Sequence, residues 1–295
     1  MEIIQHKLHP ILKWSGGKSG NYKHLNKSLP QALIDGKINN YYEPFLGGGA
    51  MFLNLIQNVK LNRCILSDIN EDLILFYKAI KNNPKELISL AEKSIDSYIK
   101  ISNKEKRKEF YNRIRAAYNE EQSIIDYENY SSFYIHRAAQ LLFLNKTCFG
   151  GRYRQNRKGE FNVPCSCENP SKLNKTNILL ISAIFRCENI SFRQADYKDV
   201  CNEISGDDSF VYFDPPYDGT ASDYYKIPFS HEDHIELSEI YKVLHKKNTF
   251  LMMNNSCITK KYYSDFTIKP IISQNTVARS ASNRNETEVL LITNY

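Results

Sequence analysis

Phe210-Val211-Tyr212-Phe213-Asp214-Pro215-Pro216-Tyr217 begins as a dense run of β-branched and aromatic side chains and stops at two prolines. Such a run predicts a buried strand. Pro-Pro ends it abruptly, because proline has no N–H to give a ladder. An acid, a stiff turn and an aromatic ring are left at the strand's carboxyl end. In an open α/β sheet that edge is where ligands bind.

Asp214-Pro215-Pro216-Tyr217 suits an unusual reaction. An amino group conjugated to a nucleobase offers little lone-pair density to an electrophile. A carboxylate and a backbone carbonyl that accept its N–H bonds favour a more tetrahedral, nucleophilic nitrogen. The prolines hold φ near about −65° and remove backbone donors, so the turn presents carbonyls without competing N–H groups. Tyr217 suits stacking on the flat face of a base. Asp and Pro are also ordinary turn residues, so the tetrapeptide needs its companions to carry weight.

Those companions lie upstream. Tyr41-Tyr42-Glu43-Pro44-Phe45-Leu46-Gly47-Gly48-Gly49 is a short strand feeding a glycine loop, and Ala50 to Ile56 continues as a helix. Glycines let a backbone pass close to a ligand and leave N–H groups free at a helix start. The last glycine of the dinucleotide fingerprint is missing, since Phe52 takes its place. A second strand, Ile65-Leu66-Ser67-Asp68-Ile69-Asn70, ends in an acid about 20 residues beyond the glycines, suited to ribose hydroxyls. Asp68 is equally suited to cap the amphipathic helix through Leu73, Phe76, Tyr77 and Ile80. Nearer the start, Lys13-Trp14-Ser15-Gly16-Gly17-Lys18-Ser19 ends like a phosphate loop. Leu12 stands where that motif needs a glycine, which excludes a nucleoside triphosphatase. A tight turn remains, with lysines around it and the only tryptophan of the chain.

From Asn82 to about Asn145 the periodicity is helical. Pro84 suits a helix start, a lysine-rich break spans Ser102 to Lys108, and another helix runs from Glu109. Ser132 to Leu144 is apolar nearly all round and should be buried. This predicts a helical insertion, residues 81–175, between catalytic segments 1–80 and 176–295. Its last part, Asn145 to Pro164, sets Lys146, Arg152, Arg154, Arg157 and Lys158 against Glu160, with glycines at both ends. A β-hairpin is predicted, whose Arg152, Tyr153, Arg154, Gln155, Asn156, Arg157 and Lys158 suit phosphates, stacking and base edges. Beyond it come a helix from Ile178 to Phe185 and a strand at Ile190-Ser191-Phe192-Arg193. Asp196 follows, placed to touch an adenine ring or to cap a turn. A loop with Tyr224 and Tyr225 leads to a helix over Ile235–Leu244, announced by Ser230 and Asp233. Thr249–Met253 and Thr287–Ile292 are strands, with a polar loop over Val277–Asn285.

Composition is compatible with all of this. The chain has 295 residues, 42% hydrophobic and 24% charged, enough for a core and too ordered a mix for disorder. A net charge of +6 fits a polyanionic partner without requiring one. The seven cysteines form no spacing that suits zinc and read as reduced thiols. No apolar leader and no run of about 18 apolar residues is seen, so the expectation is a cytoplasmic protein.

The ordered set resembles the Dam-type DNA adenine-N6 methyltransferases along nearly the whole chain. Lys13-Trp14-Ser15-Gly16-Gly17-Lys18 is similar to that family's N-terminal cofactor motif, and Glu43-Pro44-Phe45-Leu46-Gly47-Gly48-Gly49 to its glycine loop. Ser67-Asp68-Ile69-Asn70 resembles its second-strand acid. Gly159-Glu160-Phe161-Asn162-Val163-Pro164 resembles the end of its DNA-reading hairpin, and Asp214-Pro215-Pro216-Tyr217 its catalytic motif. The resemblance implies a Rossmann-like α/β methyltransferase fold with an inserted helical and hairpin target-recognition subdomain. It implies S-adenosylmethionine at Trp14, Lys18, Asp68 and Asp214, with Glu43, Phe45, Gly47, Gly49 and Asp196 around the same site. It implies Asp214 and the Pro215 carbonyl on the adenine amino group, and Tyr217 stacked on a flipped base. Lys13 and Arg154 fall where the family contacts DNA, Arg154 at a guanine-reading position. Gly150-Gly151-Arg152 departs from the family's usual Asn-Gly-Leu, so GATC is the favoured site while CATG or another adenine site stays open.

The expected reaction is in-line methyl transfer to N6 with no metal and no cysteine nucleophile. Double-stranded DNA is the expected partner of a monomer, and a companion restriction endonuclease is left open. An RNA adenine-N6 methyltransferase and a non-catalytic DNA-binding module are the rival readings. The intact acid motif and glycine loop argue against the second.

Overall fold

The computed structural model describes residues 7–14, 22–204, 206–217, 228–274 and 286–295. They gather in two compact units: 7–14 with 70–187, and the remainder. The strands are β1 (Asn40–Glu43), β2 (Arg63–Asp68), β3 (Ile190–Gln194), β4 (Ser209–Phe213), β5 (Phe250–Asn255), β6 (Thr267–Gln274) and β7 (Glu286–Thr293). The helices are α1 (Tyr22–Lys27), α2 (Gln31–Ile34), α3 (Ala50–Leu55), α4 (Glu71–Asn82), α5 (Pro84–Ile99), α6 (Lys104–Glu121), α7 (Ile135–Thr147), α8 (Lys175–Phe185), α9 (Tyr197–Asn202) and α10 (His231–Lys246).

All the strands belong to one seven-stranded sheet, in the order β3-β2-β1-β4-β5-β7-β6. β1 to β5 pair in parallel, and β7 runs antiparallel to both β5 and β6. This is the Rossmann-like α/β sheet that the motifs implied. Strand order reverses between β1 and β4, which places Glu43 and Asp214 at the switch point. β4 is buried at every residue, as expected of a central strand covered on both faces. One face sets Tyr42, Ile65, Val211, Phe213, Leu251 and Met253 against Leu237, Tyr241 and Leu244 of α10. On the other, Tyr41 packs on Phe210 and on Phe52 of α3.

Elements absent from the sequence reading are the short helices α1, α2 and α9 and the strand β6. β6 is an outer strand and holds Pro270, a residue that edges tolerate and that masks a strand pattern. The start of α10 follows expectation: Ser230 and Asp233 form a full capping box.

In the helical unit, α7 packs against α4, α5 and α6 and is largely buried. α6 starts at Lys104, so the expected break from Ser102 to Lys108 is shorter than predicted. The Asn103 side chain accepts Lys106 N–H at 3.0 Å, and this cap carries the lysine-rich run into a solvated first turn. α7 also buries a charge. Arg137 donates to both carboxylate oxygens of Asp72, at 2.6 and 2.9 Å, where Tyr118 and Tyr127 also donate at 2.7 Å. The side chains of Asp72 and Arg137 are each 1% exposed.

The expected β-hairpin is reduced to a single antiparallel bridge, Gln155 with Phe161, around a turn closed by Asn156 N–H to Glu160 O at 2.9 Å. A second bridge, Cys148 with Cys165, sits at its base. The Gly150–Gly151 turn, with both φ positive, and Pro164 leave too little extended chain for full strands. Lys18, the Tyr224 and Tyr225 loop and the Val277–Asn285 loop lie outside the described residues.

Candidate functional site

At the switch point the chain leaves β4 at Phe213 and turns through Asp214 to Tyr217. Asp214, Pro216 and Tyr217 are partly exposed, whereas Pro215 is buried. Glu43 ends the neighbouring strand. It is 2% exposed, and its Oε2 accepts the Tyr41 hydroxyl at 2.7 Å. Burial pushes its pKa well above the ordinary carboxylate range, and the negative charges of Asp214 and Asp68 push the same way. Burial and the neighbouring negative charges both disfavour the ionised form of Glu43.

The glycine loop is fixed to the second strand. Gly47 N–H donates to Asp68 Oδ2 at 2.9 Å, and Leu46 N–H to Ser67 O at 2.9 Å. Gly49 sits at φ 67° as the N-cap of α3, a left-handed position that glycine takes without strain. Asp68 therefore does not cap α4: Asn70 does, accepting Leu73 N–H at 2.9 Å. Asp196 caps α9 by accepting Lys198 N–H at 2.9 Å. Beside it, Phe45 stacks on Tyr197 with centroids 5.2 Å apart, and Phe229 meets the edge of Phe45 at 5.7 Å. Glu43, Phe45, Gly47, Gly49, Asp68, Asp196 and Asp214 thus line the carboxyl edge of one sheet.

The basic segment lies in the helical unit with Lys13 and Trp14. Asn145, 2% exposed at the end of α7, binds both ends of this arrangement. Its Oδ1 accepts Lys13 N–H at 2.9 Å, and its Nδ2 donates to Lys13 O at 2.9 Å and to Gly151 O at 3.1 Å. Trp14 stacks on Tyr153, which packs edge-on against Phe161. Tyr153, expected to meet DNA, is 2% exposed and holds the segment from beneath. Asn156 is spent on the turn: its Oδ1 accepts Lys158 and Glu160 N–H, and its Nδ2 donates to Glu160 at 2.7 Å. Arg157 and Lys158 are exposed, and Arg152 and Arg154 are half-buried. Arg154 donates from Nε to Asn162 Oδ1 at 2.7 Å, which aims its guanidinium.

The D12 class N6 adenine-specific DNA methyltransferase pattern matches residues 14–277. The chain belongs to this family. Type II methyltransferase M.MjaIII of Methanocaldococcus jannaschii is 36% identical to it, over 98% of this chain and 100% of that protein. Type II methyltransferase M1.LlaDCHI of Lactococcus lactis subsp. cremoris is 31% identical, over 98% and 96%. DNA adenine methylase of Escherichia coli K12 is 26% identical, over 97% and 95%. This D12-class methyltransferase is thus an enzyme of adenine-N6 DNA methylation, in a class that generally uses S-adenosylmethionine. No described helix is long and apolar enough to cross a membrane.

Sequence reasoning missed Asn145 and the aromatic cluster around Phe45 in this methyltransferase. Asn145 had one signal, a lone amide closing an apolar helix. Tyr197 and Phe229 had none, because their partners are distant in the chain.

Proposed function

We propose that this enzyme transfers a methyl group from S-adenosylmethionine to N6 of adenine within a short duplex DNA site, GATC favoured and CATG or another adenine site open. The observation that carries this reading is Asp214-Pro215-Pro216-Tyr217 at the carboxyl end of the central strand β4, beside a glycine loop bonded to Asp68. The edge fits the cofactor. It has a glycine turn at positive φ, an acid at the end of β2, and an aromatic cluster next to Asp196.

S-Adenosylmethionine, when bound, supplies an electrophilic methyl group. In this reading Trp14, Lys18, Glu43, Phe45, Gly47, Gly49, Asp68, Asp196 and Asp214 form or brace its site. The Asp214 carboxylate and the Pro215 carbonyl accept the N6 hydrogens, and Tyr217 stacks on the base. Pro216 keeps the turn rigid. In this reading Asp214 is the carboxylate towards which N6 sheds its surplus proton. Orientation and fixed dipoles supply most of the rate.

Residues 81–175 are the target-recognition subdomain in this reading, with Lys13, Arg152, Arg154, Arg157 and Lys158 on DNA and Tyr153 and Asn156 shaping the segment that carries them. It includes a cytoplasmic monomer and, on the type II names of two relatives, a restriction endonuclease that shares the site.

The test is transfer of labelled methyl to duplexes with GATC, with CATG or with neither, by the wild type and by Asp214→Ala. Label at adenine in one duplex, lost in the variant with DNA binding retained, is expected. Full turnover by Asp214→Ala would overturn the assignment of Asp214, and label in RNA alone would overturn the DNA reading.

A further inference from the structure

Asn254 is fully buried, at 0% exposure, and among the described residues neither atom of its side-chain amide has a hydrogen-bond partner. Few native proteins leave a whole primary amide so, and such groups mark strain or a ligand not yet bound. Its position favours a ligand. Phe213 of β4 pairs with Met253 of β5, so Asp214 and Asn254 are the next residues along two adjacent parallel strands. Phe213 and Met253 face the core under α10. Side chains alternate along a strand, so Asn254 faces the other way, on the side of Tyr41 and Tyr212.

That side holds more unspent hydrogen-bonding capacity. The hydroxyls of Tyr212 and of Ser256 are also buried without partners among the described residues. Burial, and after it the charges of Asp214 and Glu43, disfavour ionisation of Tyr212. Orphaned donors thus gather around the acid at the ends of β4 and β5.

We propose that Asn254 is a specificity-determining residue, whose amide donates from Nδ2 to a ring nitrogen flanking N6 of the target adenine. This rests on the reading of Asp214 given above. The N6 hydrogens are then committed to Asp214 and the Pro215 carbonyl, which leaves the ring acceptors N1 and N7 on either side of N6. An amide at the neighbouring strand end meets one of them, and amide-to-adenine pairing is a common recognition contact.

The experiment joins a protein change to single-atom changes in the substrate. Wild type, Asn254→Leu and Asn254→Ala are compared on cognate duplexes whose target is adenine, 1-deazaadenine or 7-deazaadenine. Thermal unfolding is followed in parallel. In the wild type one deaza base is expected to lower kcat/KM by about tenfold to a hundredfold. In both variants that base and adenine should react within about threefold of each other, because the donor is already gone. Asn254→Leu removes the orphaned amide with little change in volume and should unfold no earlier than the wild type.

The proposal is overturned if the variants are slowed by that deaza base as much as the wild type is, or if neither deaza base slows the wild type. Full activity of Asn254→Leu on adenine would also overturn it. So would a folded variant inactive on every duplex, because one lost hydrogen bond leaves activity that can be measured. The underlying reading is judged separately, by wild-type transfer to the adenine duplex and its loss in Asp214→Ala. Failure of the coupling alone falls on Asn254.

Discussion

Trp14 stacks on Tyr153, with ring centroids 4.6 Å apart and planes 17° apart. Motif logic gives one of these rings to the cofactor and the other to DNA, yet they are buried against each other. The first segment of the chain is joined in this way to the basic segment that follows α7, and Asn145 fastens the same pair of segments through their backbones.

Tyr153→Ala should therefore act as a core deletion. A loss of about 3–5 kcal/mol of stability is expected, in the range of large aromatic truncations. Tyr153→Phe keeps the stack and should cost less than about 1.5 kcal/mol. Urea unfolding measures both. Equal and small effects would show that the stack contributes nothing.

Arg137→Met strands the Asp72 carboxylate in the helical unit. Breaking a buried pair by removing one partner costs about 3–5 kcal/mol, whereas replacing both by apolar groups is often close to neutral. The double variant Asp72→Leu with Arg137→Met should accordingly recover most of that loss. Denaturant midpoints of the single and double variants decide, and a double variant worse than the single one would contradict the argument.

Glu43 makes stability depend on pH in a defined direction. Its folded pKa lies above its unfolded value, so the native state binds the proton more tightly. The stability it gives is complete below the unfolded value, about 4.3, and is lost as pH rises through the folded value. Glu43→Gln keeps an acceptor for the Tyr41 hydroxyl without the titration. The melting temperature of the wild type should fall relative to this variant as pH rises. A difference that does not change with pH would show that Glu43 titrates normally.

Arg154 and Lys158 should fail differently. Arg154, aimed by Asn162, should lose discrimination between cognate and single-mismatch duplexes on change to alanine, by about 1–3 kcal/mol. Exposed Lys158 should weaken all duplexes alike and reduce the salt slope by about one when replaced by alanine. Binding titrations over a salt series separate the two, and identical profiles would refute the division.

The parallel core was legible because its strands are dense apolar runs, each ending in a marker: Glu43-Pro44, Asp68 or Asp214-Pro215. β6 was not, since an outer strand with a proline and with adjacent residues such as Lys269 and Pro270 both exposed carries no such pattern. Arg137 was illegible because its meaning depends on Asp72, which lies far away in sequence at the start of α4. The departures from the usual family tripeptide, at Gly150 and Arg152, showed in the sequence, but why the glycine between them, Gly151, is needed takes coordinates to see. A Cβ there would stand 2.6 Å from Lys13 Cδ, with φ at +66°. The glycine makes room for a lysine.

β4 is paired along both edges, with β1 and with β5, and is buried at every residue. In mechanical terms its acid, Asp214, follows directly on a strand clamped by two neighbours. The strand itself cannot shift without tearing hydrogen bonds on both sides. If Asp214 meets the base as proposed, compliance would come from the nucleic acid, and the work of deforming a duplex would set how easily one adenine is reached and its neighbours are not.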